Sequence, residues 1–158
     1  MTRREVHEPN GAVSEARDAL VAAYAARLDA LLASWQLAID ARRKVPIAAG
    51  SAPPRTAPEV LAELEHELAD LERHCIEQRQ SAESEDQQAK NWEQRAMMAL
   101  RDGREDLARE ALARQQDHLT TATEQEAEAI ELEAVRDSYR NAVTAVKATT
   151  GSPATDRA

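Results

Sequence analysis

Asn91-Trp92-Glu93-Gln94-Arg95-Ala96-Met97-Met98-Ala99-Leu100-Arg101-Asp102-Gly103-Arg104-Glu105-Asp106-Leu107-Ala108-Arg109-Glu110-Ala111-Leu112-Ala113-Arg114-Gln115 reads as the tip of an antiparallel helical hairpin. One helix ends at Leu100-Arg101, Asp102-Gly103 turns the chain, and a second helix begins at once. Gly103 can take the positive φ that such a turn often needs. Glu105 and Asp106 then occupy the first turn of the new helix, where carboxylates favour the positive end of the dipole.

Upstream of this turn, apolar and small residues recur at alternating steps of three and four. They run Leu61, Leu64, Leu68, Leu71, Cys75, Gln78, Ala82, Glu85, Ala89, Trp92, Ala96 and Ala99. That is a coiled-coil repeat sustained for more than five heptads, and it predicts a helix from about Pro58 to Arg101. Leucines fill its base, whereas Gln78, Ala82, Glu85 and Ala89 leave the middle small or polar. Small residues bury little area, so the repeat places stability at the leucine base and at Trp92.

Downstream, a third helix is expected from Arg104 to about Ala148. Its apolar set is Leu107, Ala111, Leu112, Leu119, Ala122, Ala129, Ile130, Leu132, Val135, Tyr139, Val143 and Val146. Steps of three follow each other near Ala129 to Val135, which predicts a local change of supercoil there. The expected base of the hairpin therefore packs Leu61, Leu64, Leu68 and Leu71 against Val135, Tyr139, Val143 and Val146.

An N-terminal helix is expected over 13–42, with an apolar face of Val21, Tyr24, Leu28, Leu31, Trp35 and Ala38. Leu20, Leu32 and Ile39 widen that face beyond a two-stranded seam, so the helix needs more than one neighbour. Residues 1–12 read as a polar disordered leader. The Pro- and Gly-bearing segment 43–57 reads as a linker, and 149–158 as a disordered tail. The hairpin domain is then 58–148, with its turn near 102–104. The predicted fold is all-α: a long antiparallel coiled-coil helical hairpin with an additional N-terminal helix packed at its open end.

Composition sets the functional classes. Aromatic residues make up 3%, phenylalanine is absent and charged residues make up 31%, as in long helices rather than thick globular cores. The net charge of −9 is concentrated on the hairpin: Glu59 to Arg95 holds eleven acidic residues against four basic ones. Such a field repels nucleic acid and opposes anionic lipid. The single cysteine, Cys75, fits a reducing compartment and reads as a buried seam thiol. Absence of an apolar run long enough to span a bilayer points to a cytoplasmic protein, peripheral at most.

Chemistry-bearing motifs are scarce. His66, Asp70 and His74 share one helical face, but two histidines eight residues apart lie about 12 Å apart along the axis, too far for one ion. They read as a solvated row. No nucleophile–base pair, phosphate loop or zinc spacing is present, so the sequence implies no catalytic residues, metal or cofactor and no enzyme. Trp92 is the residue with two readings: a plug bridging both helices, or an anchor for a partner helped by the adaptable Met97 and Met98. From Arg101 to Leu119 four basic residues face five acidic ones, so the tip escapes the acidic field of the rest.

The pattern formed by Trp92, Arg95, Ala96, Ala99, Leu100, Gly103, Arg104, Glu105, Asp106, Leu107, Ala108, Arg109, Ala111 and Leu112 resembles the phage-shock protein A family of bacterial membrane-stress proteins, relatives of ESCRT-III. The likeness is close over Trp92 to Gln115 and holds by residue type over about Val60 to Val146. It implies a helical hairpin that assembles into rings and rods on stressed inner membranes, in some members holding an AAA+ transcriptional activator inactive. It also makes Arg104, Glu105, Asp106 and Arg109 candidates for salt bridges between subunits.

Together these readings predict a non-enzymatic scaffold or adaptor of envelope-stress response that acts by self-association and partner docking. The expected tip site is Trp92, Met97, Arg101, Gly103, Arg104, Glu105, Asp106 and Arg109. Two alternatives stand beside it: a peripheral membrane-remodelling protein, and a soluble regulator of an AAA+ activator. The acidic hairpin and the lack of an amphipathic stretch near the N-terminus weaken the membrane alternative. Nucleic acid is not expected as a partner.

Overall fold

Three helices and no strand make up the described residues of the computed structural model, which covers 10–42 and 55–151, with side chains from Glu15 to Ala41 and from Arg55 onward. Helix α1 spans Asn10–Arg42, α2 Ala57–Arg101 and α3 Glu105–Thr150. The fold is all-α, a helical hairpin with an N-terminal helix. Of the expected leader, linker and tail, residues 1–9, 43–54 and 152–158 lie outside the described residues; α1 begins inside the expected leader at Asn10, and α3 ends inside the expected tail at Thr150. The chain divides into two compact units, one of residues up to Ala69 and from Val135 on, the other Asp70–Ala134.

In the first unit α1 is packed on the opening turns of α2 and the closing turns of α3. Tyr24, Leu28, Leu31 and Ala38 bury the apolar face of α1. Ala57, Val60 and Leu64 of α2 and Tyr139, Ala142, Val143 and Val146 of α3 are buried with them. The Tyr139 hydroxyl donates to the Tyr24 carbonyl at 2.8 Å, and the two rings meet edge to face with centroids 6.4 Å apart. Arg27 reaches Glu67 at 3.1 Å and Lys147 reaches Glu65 at 2.7 Å, tying both other helices to α2. Of the residues expected at the base, Leu64, Tyr139, Val143 and Val146 are buried here, while Leu61, Leu68 and Val135 are half-buried. With three helices the buried arc of α2 turns toward α1, which brings in Ala57 and Val60.

Helix α2 starts at a reciprocal cap. The Thr56 N–H donates to the Glu59 carboxylate at 2.7 Å, and the Glu59 N–H donates to the Thr56 hydroxyl at 3.4 Å. This is a capping box, satisfying two otherwise orphaned donors. Those bonds hold the Glu59 carboxyl below its usual range, the backbone donor of Thr56 first.

The second unit is the hairpin proper. Partners on α3 fall in number as those on α2 rise: Arg79 pairs with Glu133 and Glu126, Glu85 with His118, and Trp92 lies under Arg114. The α2 seam keeps its alternation, with Leu71, Cys75, Ala89 and Ala96 buried and Gln78, Ala82, Glu85, Trp92 and Ala99 half-buried.

The α3 seam differs from expectation. It runs Ala108, Ala111, Gln115, His118, Ala122, Gln125, Ala129 and Leu132, in strict steps of three and four, every one buried or half-buried. Past Leu132 the seam continues through Val135, half-buried, to Tyr139, buried, so steps of three follow each other from Ala129 to Val135, while Leu107, Leu112 and Ile130 stand on the outside. Ala89 and Ala96 leave little apolar area on α2 for large residues to cover, so small and polar residues fill the α3 seam and Leu107 and Leu112 stay on the flanks.

Candidate functional site

The tip begins with the way α2 ends. Arg104 N–H bonds the Ala99 carbonyl at 2.8 Å and Gly103 N–H bonds the Leu100 carbonyl at 3.1 Å, with Gly103 at φ 68°. These are the two bonds of a Schellman motif, with glycine in its left-handed position. A Cβ at Gly103 would meet nothing within 4 Å, so the glycine serves the backbone angle alone. The Arg104 carbonyl then accepts from Ala108 N–H, and α3 is launched in the opposite direction.

This tight reversal leaves large apolar side chains outside. Met97, Met98, Leu100, Leu107 and Leu112 are between 42% and 57% exposed, while Ala96, Ala108 and Ala111 take the interior. Elsewhere in this unit the large exposed apolar residues are Ile76 and Ile130. An apolar cluster of this kind marks a contact surface when it is contiguous.

Trp92 sits two turns below. It is half-buried, with the Arg95 guanidinium 4.4 Å from the indole centroid and the Arg114 guanidinium at 5.3 Å. The two cations come from different helices, so the ring bridges them through cation–π contacts. Among the other expected tip residues, Arg109 pairs within its own helix with Glu105 at 3.3 Å and Asp106 at 3.2 Å. Arg101 and Arg104 are exposed and, among the described residues, form no ion pair. The structure thus gathers Met97, Arg101, Gly103, Arg104, Glu105, Asp106 and Arg109 at one end of the hairpin, with Trp92 inside its neck.

The middle of this unit has opposite character. Residues 70–90 and 117–134 carry twelve carboxylates against three Lys or Arg, whereas 91–116 carry five of each. Two polar layers interrupt the seam there. His118 Nδ1 lies 2.5 Å from Glu85 Oε2, and Gln125 Oε1 is buried with no hydrogen-bond partner among the described residues. Beside them a groove of about 400 Å3 opens between the helices, lined by Arg79, Ala82, Glu83, Asp86, Leu119, Ala122, Thr123 and Glu126. Neither His118 nor this groove stands out in sequence, because neither belongs to a run of large apolar residues. The signal was Glu85 at a seam position, which demands a polar partner opposite.

His66 is exposed, and Asp70, half-buried, pairs with Arg73. Among the described residues no group of three His, Cys, Asp or Glu is placed to hold a metal ion. None of the described helices is long and apolar enough to cross a membrane.

Comparison with protein families matches the PspA/IM30 family over residues 55–150. The chain belongs to the PspA/IM30 family. The match takes in all of α2 and α3, so the hairpin is the PspA/IM30 element and α1 lies outside it. Searches of curated proteins and of solved structures gave no significant match. The PspA/IM30 family is one of coiled-coil, non-enzymatic scaffolds of membrane-stress response whose members self-assemble.

Proposed function

We propose that this protein is a non-enzymatic scaffold or adaptor of bacterial envelope stress that works through its hairpin, by self-association and by docking a protein partner at the tip. The observation that carries this reading is the tip itself, where Met97, Met98, Leu100, Leu107 and Leu112 are held exposed on a reversal without net charge. The family match over the hairpin supports it. A location at the inner membrane surface follows from the same family and belongs to the proposal.

The packing of α1 favours an adaptor over direct remodelling of lipid. Its apolar face is already used, with Tyr24, Leu28 and Leu31 buried in the first unit, and insertion into a bilayer would have to undo that. Co-sedimentation with anionic and neutral vesicles at low salt, beside sedimentation velocity without lipid, tests the choice. Concentration-dependent self-association without pelleting is expected. Pelleting that needs anionic vesicles and is lost in Leu28→Ser/Leu31→Ser would overturn the adaptor reading in favour of the membrane one.

A further inference from the structure

The tip and the groove lie on one side of the hairpin. Met97 follows Glu83 by two heptads, Leu100 follows Asp86 by two, and Leu112 precedes Leu119 by one. A heptad returns the chain to the same side of a coiled coil. Glu83, Asp86 and Leu119 line the groove, so Met97, Leu100 and Leu112 share its side, as does Arg101, four residues after Met97. One surface therefore carries an apolar, cationic end and an acidic hollow, about 27 Å apart at the helical rise.

From this arrangement we infer that the surface is a two-fold contact, in which the tip of each copy seats in the groove of a second copy. It rests on the self-association proposed above and names the surface that performs it. Charge complementarity selects the occupant. Arg101, without an ion pair among the described residues, comes to Glu83 of the second copy, and the methionine and leucine enter the hollow floored by Ala82, Leu119 and Ala122. Asp86 and Glu126 already face Lys90 and Arg79 within their own chain, which leaves Glu83 as the surplus carboxylate of the rim. A side-by-side parallel contact would instead stack acidic middle on acidic middle.

The axis is fixed by the same pairing. If residue 101 meets residue 83, the two-fold passes at residue 92, level with Leu112 across the hairpin. Leu112 then meets Leu112 of the second copy. Such an isologous contact closes on itself and yields a dimer.

Sedimentation equilibrium of the full chain tests this. Arg101→Glu and Glu83→Arg should each weaken dimerisation at least about tenfold, as like charges at an interface do. The double variant should recover most of it. In a Cys75→Ala background, Leu112→Cys should oxidise to a disulfide-linked dimer, whereas Leu107→Cys, equally accessible but off this surface, should not. A dimer indifferent to both charge reversals overturns the inference and leaves self-association standing. A chain that stays monomeric at every concentration overturns both. Vesicle pelleting abolished by Leu100→Asp, with dimer mass unchanged, would give the tip to lipid and also overturn it.

Discussion

Tyr139 donates its hydroxyl proton to the main-chain carbonyl of Tyr24, 2.8 Å away and 115 residues back along the chain. Burial, with Glu67 nearby, pushes the Tyr139 phenol up to about 12. The neutral form is thus favoured by folding. An unfolded tyrosine ionises near pH 10, so this contribution is complete below pH 10 and is lost as the pH rises toward 12. Denaturant melts should show about 2–3 kcal/mol of stability disappearing across that window. Tyr139→Phe should lose about 1 kcal/mol at neutral pH and flatten the alkaline decline. An unchanged alkaline slope would show that another group is responsible.

At the start of α2, Thr56→Ala removes the hydroxyl of the capping box, and thermal melts should register a loss of about 1 kcal/mol. The Glu59 carboxyl, held low mainly by Thr56, stabilises the fold above the ordinary carboxylate range, and this contribution is lost as pH falls through its depressed value. The variant keeps the main-chain N–H that holds this carboxyl low first and loses only the hydroxyl, so its acid decline should be slightly shallower than the parent's, read by far-UV circular dichroism between pH 2 and 5.

Gly103→Ala should destabilise the hairpin by about 1–2 kcal/mol, because the residue must hold φ 68° while its surroundings are open. Gly103→Asn should lose less, since asparagine tolerates that region. Equal losses for both would point to crowding instead of backbone strain.

Glu85 and His118 form a half-buried polar layer, 2.5 Å apart, in the stretch of seam that also holds Ala82, Ala89 and Ala122. Glu85→Ala alone should cost about 1 kcal/mol by removing a partner. Replacing both by leucine should be neutral or stabilising by about 1 kcal/mol, the solvent reaching this half-buried pair keeping the gain at the low end for such exchanges. A double variant less stable than either single one would mean the neighbouring alanines leave no room for the larger side chains.

Much of the architecture is legible wherever large apolar residues mark the repeat. Leu64, Leu71 and Cys75 announce the α2 seam, and Asp102-Gly103 announces the reversal. The α3 seam is illegible by the same test, because alanine, glutamine and histidine occupy it from Ala108 to Gln125. Burial there follows from the close approach of two helices, which no single residue advertises. Leu107 and Leu112 look like core in sequence and are flank in space. The Thr56-to-Glu59 spacing is a readable helix start that Pro58, itself suited to a first turn, masks. Exposure of the tip is likewise a property of the pair of helices, whereas its charge balance is a property of composition.

The Tyr24–Tyr139 bond also carries a consequence for biosynthesis. The hairpin turn can close as soon as a few turns on either side of Gly103 exist, since its first contacts are near neighbours in sequence. Helix α1 has no such local partner. At about 5–20 residues per second, the ribosome needs roughly 6–23 s after making Tyr24 before Tyr139 exists to receive it. Through that interval Tyr24, Leu28 and Leu31 emerge as an uncovered apolar stripe on a nascent chain, and a chaperone has its opening there, before the first unit can form.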